Sequence, residues 1–69
     1  MRFTRYSKNR ARLTKVTTCE VAKCLATSEP IGSDPDGNPL HHITIREIRI
    51  EVVIAFDRPG FVITLYARD

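Results

Sequence analysis

The strongest constraint on the fold lies between Ile43 and Arg68, in the stretch ITIREIRIEVVIAFDRPGFVITLYAR. Apolar and polar residues alternate, break once at Asp57-Arg58-Pro59-Gly60, and alternate again. Successive side chains of a strand point to opposite faces, so a period of two over this length predicts strands with one buried and one solvated face. Two such runs joined by a Pro-Gly turn predict an antiparallel pair. Ile48, Ile50, Val52, Ile54 and Phe56 share one face of the first run. In the second run Phe61, Ile63 and Leu65 share one face, and Val62, Thr64, Tyr66 and Arg68 the other. Upstream, His41, Ile43 and Ile45 are in one phase, with Leu40, His42, Thr44 and Arg46 in the opposite one. The apolar phase slips by one residue at Arg46-Glu47. A slip of one requires a turn or a β-bulge. Arg-Glu lacks the Asn-Gly chemistry that two-residue hairpins favour, and the sequence leaves both solutions open.

The N-terminal half reads as helical. Arg2 to Arg5 alternate and predict a short first strand with Phe3 inward. Ser7 is the expected N-cap of a helix through YSKNRARLTK. Helical spacing puts Tyr6, Arg10 and Leu13 near one stripe and Lys8, Arg12 and Lys15 on another. Arg10 is expected to lay its stem on the core edge with the guanidinium reaching outward. Thr17-Thr18-Cys19-Glu20 is a capping box for a second helix, with Val16 and Val21 at the positions of a hydrophobic staple. Val21, Cys24 and Leu25 form its buried stripe. It should fade at Thr27-Ser28, because Pro30 disfavours helical geometry at Glu29. Residues 30–39, PIGSDPDGNP, form a loop with a turn at Asp36-Gly37.

The expected fold class is therefore α+β, as a single domain over residues 1–69. A short N-terminal strand and two helices pack on one face of a three- to four-stranded antiparallel sheet. The Ile-rich face is the one covered. The other carries Arg49, Glu51, Val53, Ala55, Val62, Thr64, Tyr66 and Arg68, and the phase slip decides whether His42 and Arg46 join it.

Length and composition exclude several function classes. A chain of 69 residues buries only about 60% of its unfolded surface, so its core is thin. Nothing approaches the roughly 20 continuous apolar residues of a membrane helix. The basic N-terminus is followed by no apolar run, so no signal peptide is expected and a cytoplasmic location is the default. Cys19 and Cys24 lie five residues apart, about 140° around a helix. That separation suits neither a disulfide nor a shared metal, and both cysteines are expected to be buried or half-buried. There is no Gly-rich phosphate loop, zinc-ligand spacing or nucleophile elbow, so no cofactor or metal is expected. The net charge of +3 hides an asymmetry: Arg2, Arg5, Lys8, Arg10, Arg12 and Lys15 all precede the first acidic residue, Glu20. Such a patch suits a phosphate backbone or an acidic protein. Aromatic residues are too few for a base-stacking surface.

The order FTRYSKNRARLTKVTTCEVAKCL, a Pro/Gly loop, and two strands ending in VITLY resembles the small prokaryotic family catalogued as domain of unknown function 4258. Arg10 matches the family's helical arginine, Val16-Thr17 the start of its second helix, and Ile63-Thr64-Leu65-Tyr66 its final strand. The resemblance covers nearly the whole chain. Tyr6 stands where the family has a helical histidine. The family is similar in layout to the RelE-like and BrnT-like toxins of bacterial toxin–antitoxin pairs. The resemblance thus implies an activity on RNA or the ribosome and an antitoxin-like partner.

Cleavage of RNA without a metal needs a group to activate the 2′-hydroxyl, a proton for the leaving oxygen, and positive charge on the phosphorane. The uncovered face offers His42 as base or acid, Tyr66 as acid or stacking platform, and Arg46, Arg49 and Arg68 as phosphate clamps. Arg5, Lys8, Arg10, Arg12 and Lys15 are the further cations for flanking phosphates or a partner. Arg49 and Arg68 could instead pair across strands with Glu51 or Glu47. His41 and His42 adjoin a strand start and point to opposite faces, so only one can serve a given site. The competing reading is a non-catalytic basic interaction module that binds an acidic protein or RNA.

Overall fold

The computed structural model describes residues 1–68. Its elements are β1 (Arg2–Phe3), α1 (Arg5–Leu13), α2 (Thr18–Leu25), β2 (Gly32–Ser33), β3 (Pro39–Ile45), β4 (Ile48–Ile54) and β5 (Phe61–Arg68). The fold is α+β, but the sheet has five strands, in the order β1-β5-β4-β3-β2, rather than three or four. The two outermost strands are two residues each, too short for alternation to signal the second of them. The sheet is also mixed, because β1 runs parallel to β5. None of the described helices is long and apolar enough to cross a membrane.

The phase slip at Arg46-Glu47 is a turn. Ile45 pairs directly with Ile48, and Arg46 and Glu47 both have positive φ, 48° and 68°. Two left-handed residues are what a tight hairpin turn of this length requires, and they normally select Asn and Gly. Arg46 brings a compensating contact. Its guanidinium donates to the Glu20 carboxylate and to the Lys15 carbonyl, fastening the hairpin to the turn between the helices.

The first helix differs from its expected register. Its N-cap is Thr4, whose hydroxyl oxygen accepts from the Ser7 amide at 2.9 Å, so Ser7 is not the cap. Ser7 is fully buried inside the helix, and its hydroxyl donates to the Thr4 carbonyl. Ser7 and Ala11, one turn apart, are the residues α1 buries. Small side chains at this spacing let the helix lie close on β5, the strand it packs against. Tyr6 and Leu13 consequently fall outside the contact and are exposed, Leu13 by 71%. The helix ends in a Schellman motif. The Val16 amide bonds to the Ala11 carbonyl and the Lys15 amide to the Arg12 carbonyl. Lys15 takes the left-handed position at φ 62°.

The second helix follows its capping box as read: Thr17 caps it, Glu20 returns the bond, and Val21 and Leu25 are buried. It lies over β3. Cys24 packs half-buried against the core, whereas Cys19 is exposed, and both thiols are free. The core joins Ala11, Val16, Val21 and Leu25 to Ile43, Ile45, Ile50, Val52, Ile54, Val62 and Leu65.

The β4–β5 connection departs from the expected faces. β4 stops at Ile54, and two consecutive turns follow, closed by bonds from the Arg58 amide to Ala55 and from the Phe61 amide to Arg58. Phe56 sits on the first turn and is 67% exposed, outside the core it was assigned to. The register of β4 against β5 shifts between Val53, opposite Thr64, and Ile54, opposite Val62. The extra residue, Ile63, is a bulge that reverses the phase of everything before it. Val62, expected on the uncovered face, is thereby fully buried with Leu65.

Candidate functional site on the open sheet face

Because the hairpin turn has two residues, the strand register places His42 opposite Glu51 and Thr44 opposite Arg49. On the next strand Glu51 faces Tyr66 and Arg49 faces Arg68. Two rows therefore run across the uncovered face: His42–Glu51–Tyr66 and Thr44–Arg49–Arg68. The four residues read from the sequence as catalytic (His42, Tyr66, Arg49 and Arg68) stand in these adjacent rows, with Glu51 between them.

Glu51 is only 6% exposed although no helix covers it. Its neighbours close over it. His42 Nε2 lies 2.9 Å from Oε1, the Tyr66 hydroxyl donates to Oε2, and Arg68 Nη1 is 3.3 Å from Oε1. A carboxylate removed from water persists as an ion only where hydrogen bonds and opposite charge replace its hydration. The Tyr66 bond is the main cause that holds Glu51 below the usual glutamate range, followed by the His42 bond; burial opposes them and Arg68 adds attraction. The same carboxylate pushes the Tyr66 phenol above its ordinary value, so Tyr66 stays a neutral donor.

This arrangement assigns the imidazole of His42 a tautomer. An ionised carboxylate at Nε2 requires the proton there, leaving Nδ1 as the basic lone pair. Nδ1 of His42 has no hydrogen-bond partner among the described residues, and the side chain is half-exposed. Beside it, Arg49 and Arg68 oppose one another on neighbouring strands. Like charges in that position repel. Arg68 is drawn to Glu51, and Arg49 has no ion-pair partner among the described residues. His42, Ile43, Thr44, Arg49, Ile50 and Arg68 line a concavity of about 400 Å³. It is basic and open to solvent.

The remaining sequence candidates lie elsewhere. Arg46 turns to the helix side, where Glu20 and the Lys15 carbonyl engage it. Arg5, Lys8, Arg12 and Lys15 are exposed on α1 and its terminal turn, on the far side of the sheet from His42. Arg10 is half-buried, and its Nε donates to the Leu65 carbonyl at 3.4 Å. His41 points into the helix side, with Nδ1 3.0 Å from the Ser28 hydroxyl, and burial depresses its pKa. Glu51 was read only as a possible salt-bridge partner, not as the centre. Its place was within reach of the sequence: a two-residue turn at 46–47 counts back to the pair 42–51.

Among the described residues no group of three or more His, Cys, Asp or Glu side chains is placed to hold a metal ion. Comparison of the chain with family models, curated proteins and solved structures returns no match.

Proposed function

We propose that the open face cleaves RNA by metal-independent transesterification. The observation that carries this reading is the Glu51–His42 pair beside the Arg49–Arg68 row. Nδ1 of His42 takes the proton of a ribose 2′-hydroxyl. The 2′-oxygen attacks phosphorus and the bond to the 5′-oxygen breaks, which leaves a 2′,3′-cyclic phosphate and a 5′-hydroxyl. The leaving oxygen takes its proton from solvent, to which the face is open. Glu51 orients the imidazole and stabilises the imidazolium that forms, as a carboxylate does in other His-based sites. Arg49 and Arg68 stabilise the charge on the phosphorane. Tyr66 holds Glu51 in place.

The sequence resemblance supports placing this activity in a RelE-like toxin of a toxin–antitoxin pair, acting on RNA at the ribosome and restrained by an antitoxin-like protein. Induced expression in a bacterial host should then arrest growth, and His42→Ala or Arg49→Ala should relieve the arrest at equal protein level. Harmless expression, with RNA intact in the presence of translating ribosomes, overturns the reading. A second reading, a basic module that binds RNA or an acidic protein without chemistry, is favoured by α1, which has no acidic residue in its first turn and exposes Arg5, Lys8 and Arg12. Under it, the partner would co-purify and be lost as salt rises.

A further inference from the structure

The two long edges of the sheet are finished differently. Beyond the short pairing with β1, the outer edge of β5 is capped by side chains. The Thr4 hydroxyl donates to the Ile63 carbonyl at 2.6 Å, and Arg10 Nε donates to the Leu65 carbonyl. The outer edge of β3 has no such cover. β2 pairs only with Pro39 and Leu40, and from His41 onward β3 has no strand on its side away from β4 among the described residues.

The register says which groups this edge presents. In a two-residue hairpin the residues flanking the turn, Ile45 and Ile48, exchange both backbone bonds, and such pairs recur at every second residue. Ile43–Ile50 and His41–Val52 are therefore bonded pairs, and the N–H and C=O of His42 and Thr44 point away from β4. Leu40, in the same phase, bears this out: its carbonyl turns outward and accepts from the Ile31 amide at 2.8 Å. The outward groups of His42 and Thr44 have no backbone partner among the described residues. Natural edges are usually blunted by proline, lysine or a bulge, and the run from His41 to Ile45 has none of these.

We propose that the β3 edge receives an extended acidic segment of a partner protein as an additional strand. Backbone bonds to His42 and Thr44 supply the pairing. A side chain opposite Thr44 on the open face extends the row Thr44–Arg49–Arg68, and the small threonine lets Arg49 reach across it, so a carboxylate is the complementary group at that position. A second copy of this chain does not fit the edge. α2 lies over β3, and pairing β3 with its symmetry mate would bring two α2 helices to about one strand spacing, roughly 5 Å. Helices need about 8–10 Å between axes. A single strand meets no such obstacle. The proposal stands on the edge and its charge and does not depend on RNA cleavage.

The test titrates the ¹⁵N-labelled full chain with two ten-residue peptides, one alternating Thr and Glu, the other alternating Thr and Lys. The acidic peptide should bind at least about tenfold more tightly, and the His42 and Thr44 amides should shift and gain protection from hydrogen exchange. Thr44→Pro removes an outward donor that β4 does not use, so the fold survives and binding is lost. Arg49→Glu should weaken the acidic peptide by at least about tenfold while leaving the spectrum of the free protein folded. The proposal fails if both peptides bind alike, if the shifts map to α1, if Thr44→Pro binds as well as the parent, or if sedimentation shows a dimer that Thr44→Pro dissolves.

Discussion

The hairpin turn offers a clear energetic test of the register on which the site depends. Glu47 holds φ at 68°. For a residue with a Cβ the left-handed region costs roughly 1–2 kcal/mol. Glycine escapes that cost but loses about 0.5–1 kcal/mol more chain entropy on folding. The Glu47 side chain is exposed and takes part in no hydrogen bond or ion pair among the described residues, so nothing else is forfeited. Glu47→Gly should therefore stabilise the fold by about 0.5–1 kcal/mol, and a domain this small should gain about 2–8 °C in Tm. Glu47→Ala is the control: it keeps the Cβ and should stay within about 0.5 kcal/mol of the parent. Calorimetry or urea titration reads both. If Glu47→Gly proves no more stable than Glu47→Ala, residue 47 is not left-handed and the turn is wrong. The pairing of His42 with Glu51 then falls with it.

Three further outcomes follow from the same contacts. Thr4→Ala removes both the cap of α1 and a bond to β5, and should cost about 1–2 kcal/mol in urea titration. Arg46→Ala keeps the left-handed strain while deleting the bonds to Glu20 and Lys15, so it should lower Tm, with Arg46→Lys recovering little of the loss. Glu51 has a depressed pKa, so its stabilisation is complete above the ordinary glutamate pKa of about 4.3 and is lost as pH falls through the lower folded value. Glu20 and Asp34 behave likewise. Glu51→Gln should accordingly flatten the acid limb of a stability–pH curve. Tyr66 has the opposite sign: its raised pKa adds stability below pH about 10 that is lost as pH rises further.

What could be read in advance follows the distinction between periodic and local signals. Alternation over Ile43–Arg68 identified the hairpin strands and put Arg49, Tyr66 and Arg68 on the open face, because a period of two fixes which side chains share a face; the place of His42 waited on the turn at 46–47. The capping box at Thr17 fixed α2 for an equally direct reason. Several of the failures lie where a single residue resets the phase. Ile63 bulges, and Val62 enters the core. β4 stops before Phe56, and that ring is left outside. Ser7 resembles a cap by type but is the small residue that lets α1 approach β5, and the apolar look of Tyr6 and Leu13 hid this. Arg46-Glu47 was ambiguous because its turn runs against residue preference, and the reason lies 26 residues away in Glu20. Only that turn decides whether Glu51 meets His42, so the centre of the site stayed out of view although its surroundings were found.

The most direct test of the account is the product of RNA cleavage. Purified protein should convert a single-stranded RNA substrate, alone or on translating ribosomes, to fragments ending in 2′,3′-cyclic phosphate. His42→Ala should abolish them while the protein remains folded, at a Tm lowered by the lost bond to Glu51, and Glu51→Gln should slow their formation without changing their ends. Fragments with other ends, equal cleavage by the His42→Ala protein, or RNA left intact under all these conditions would contradict it.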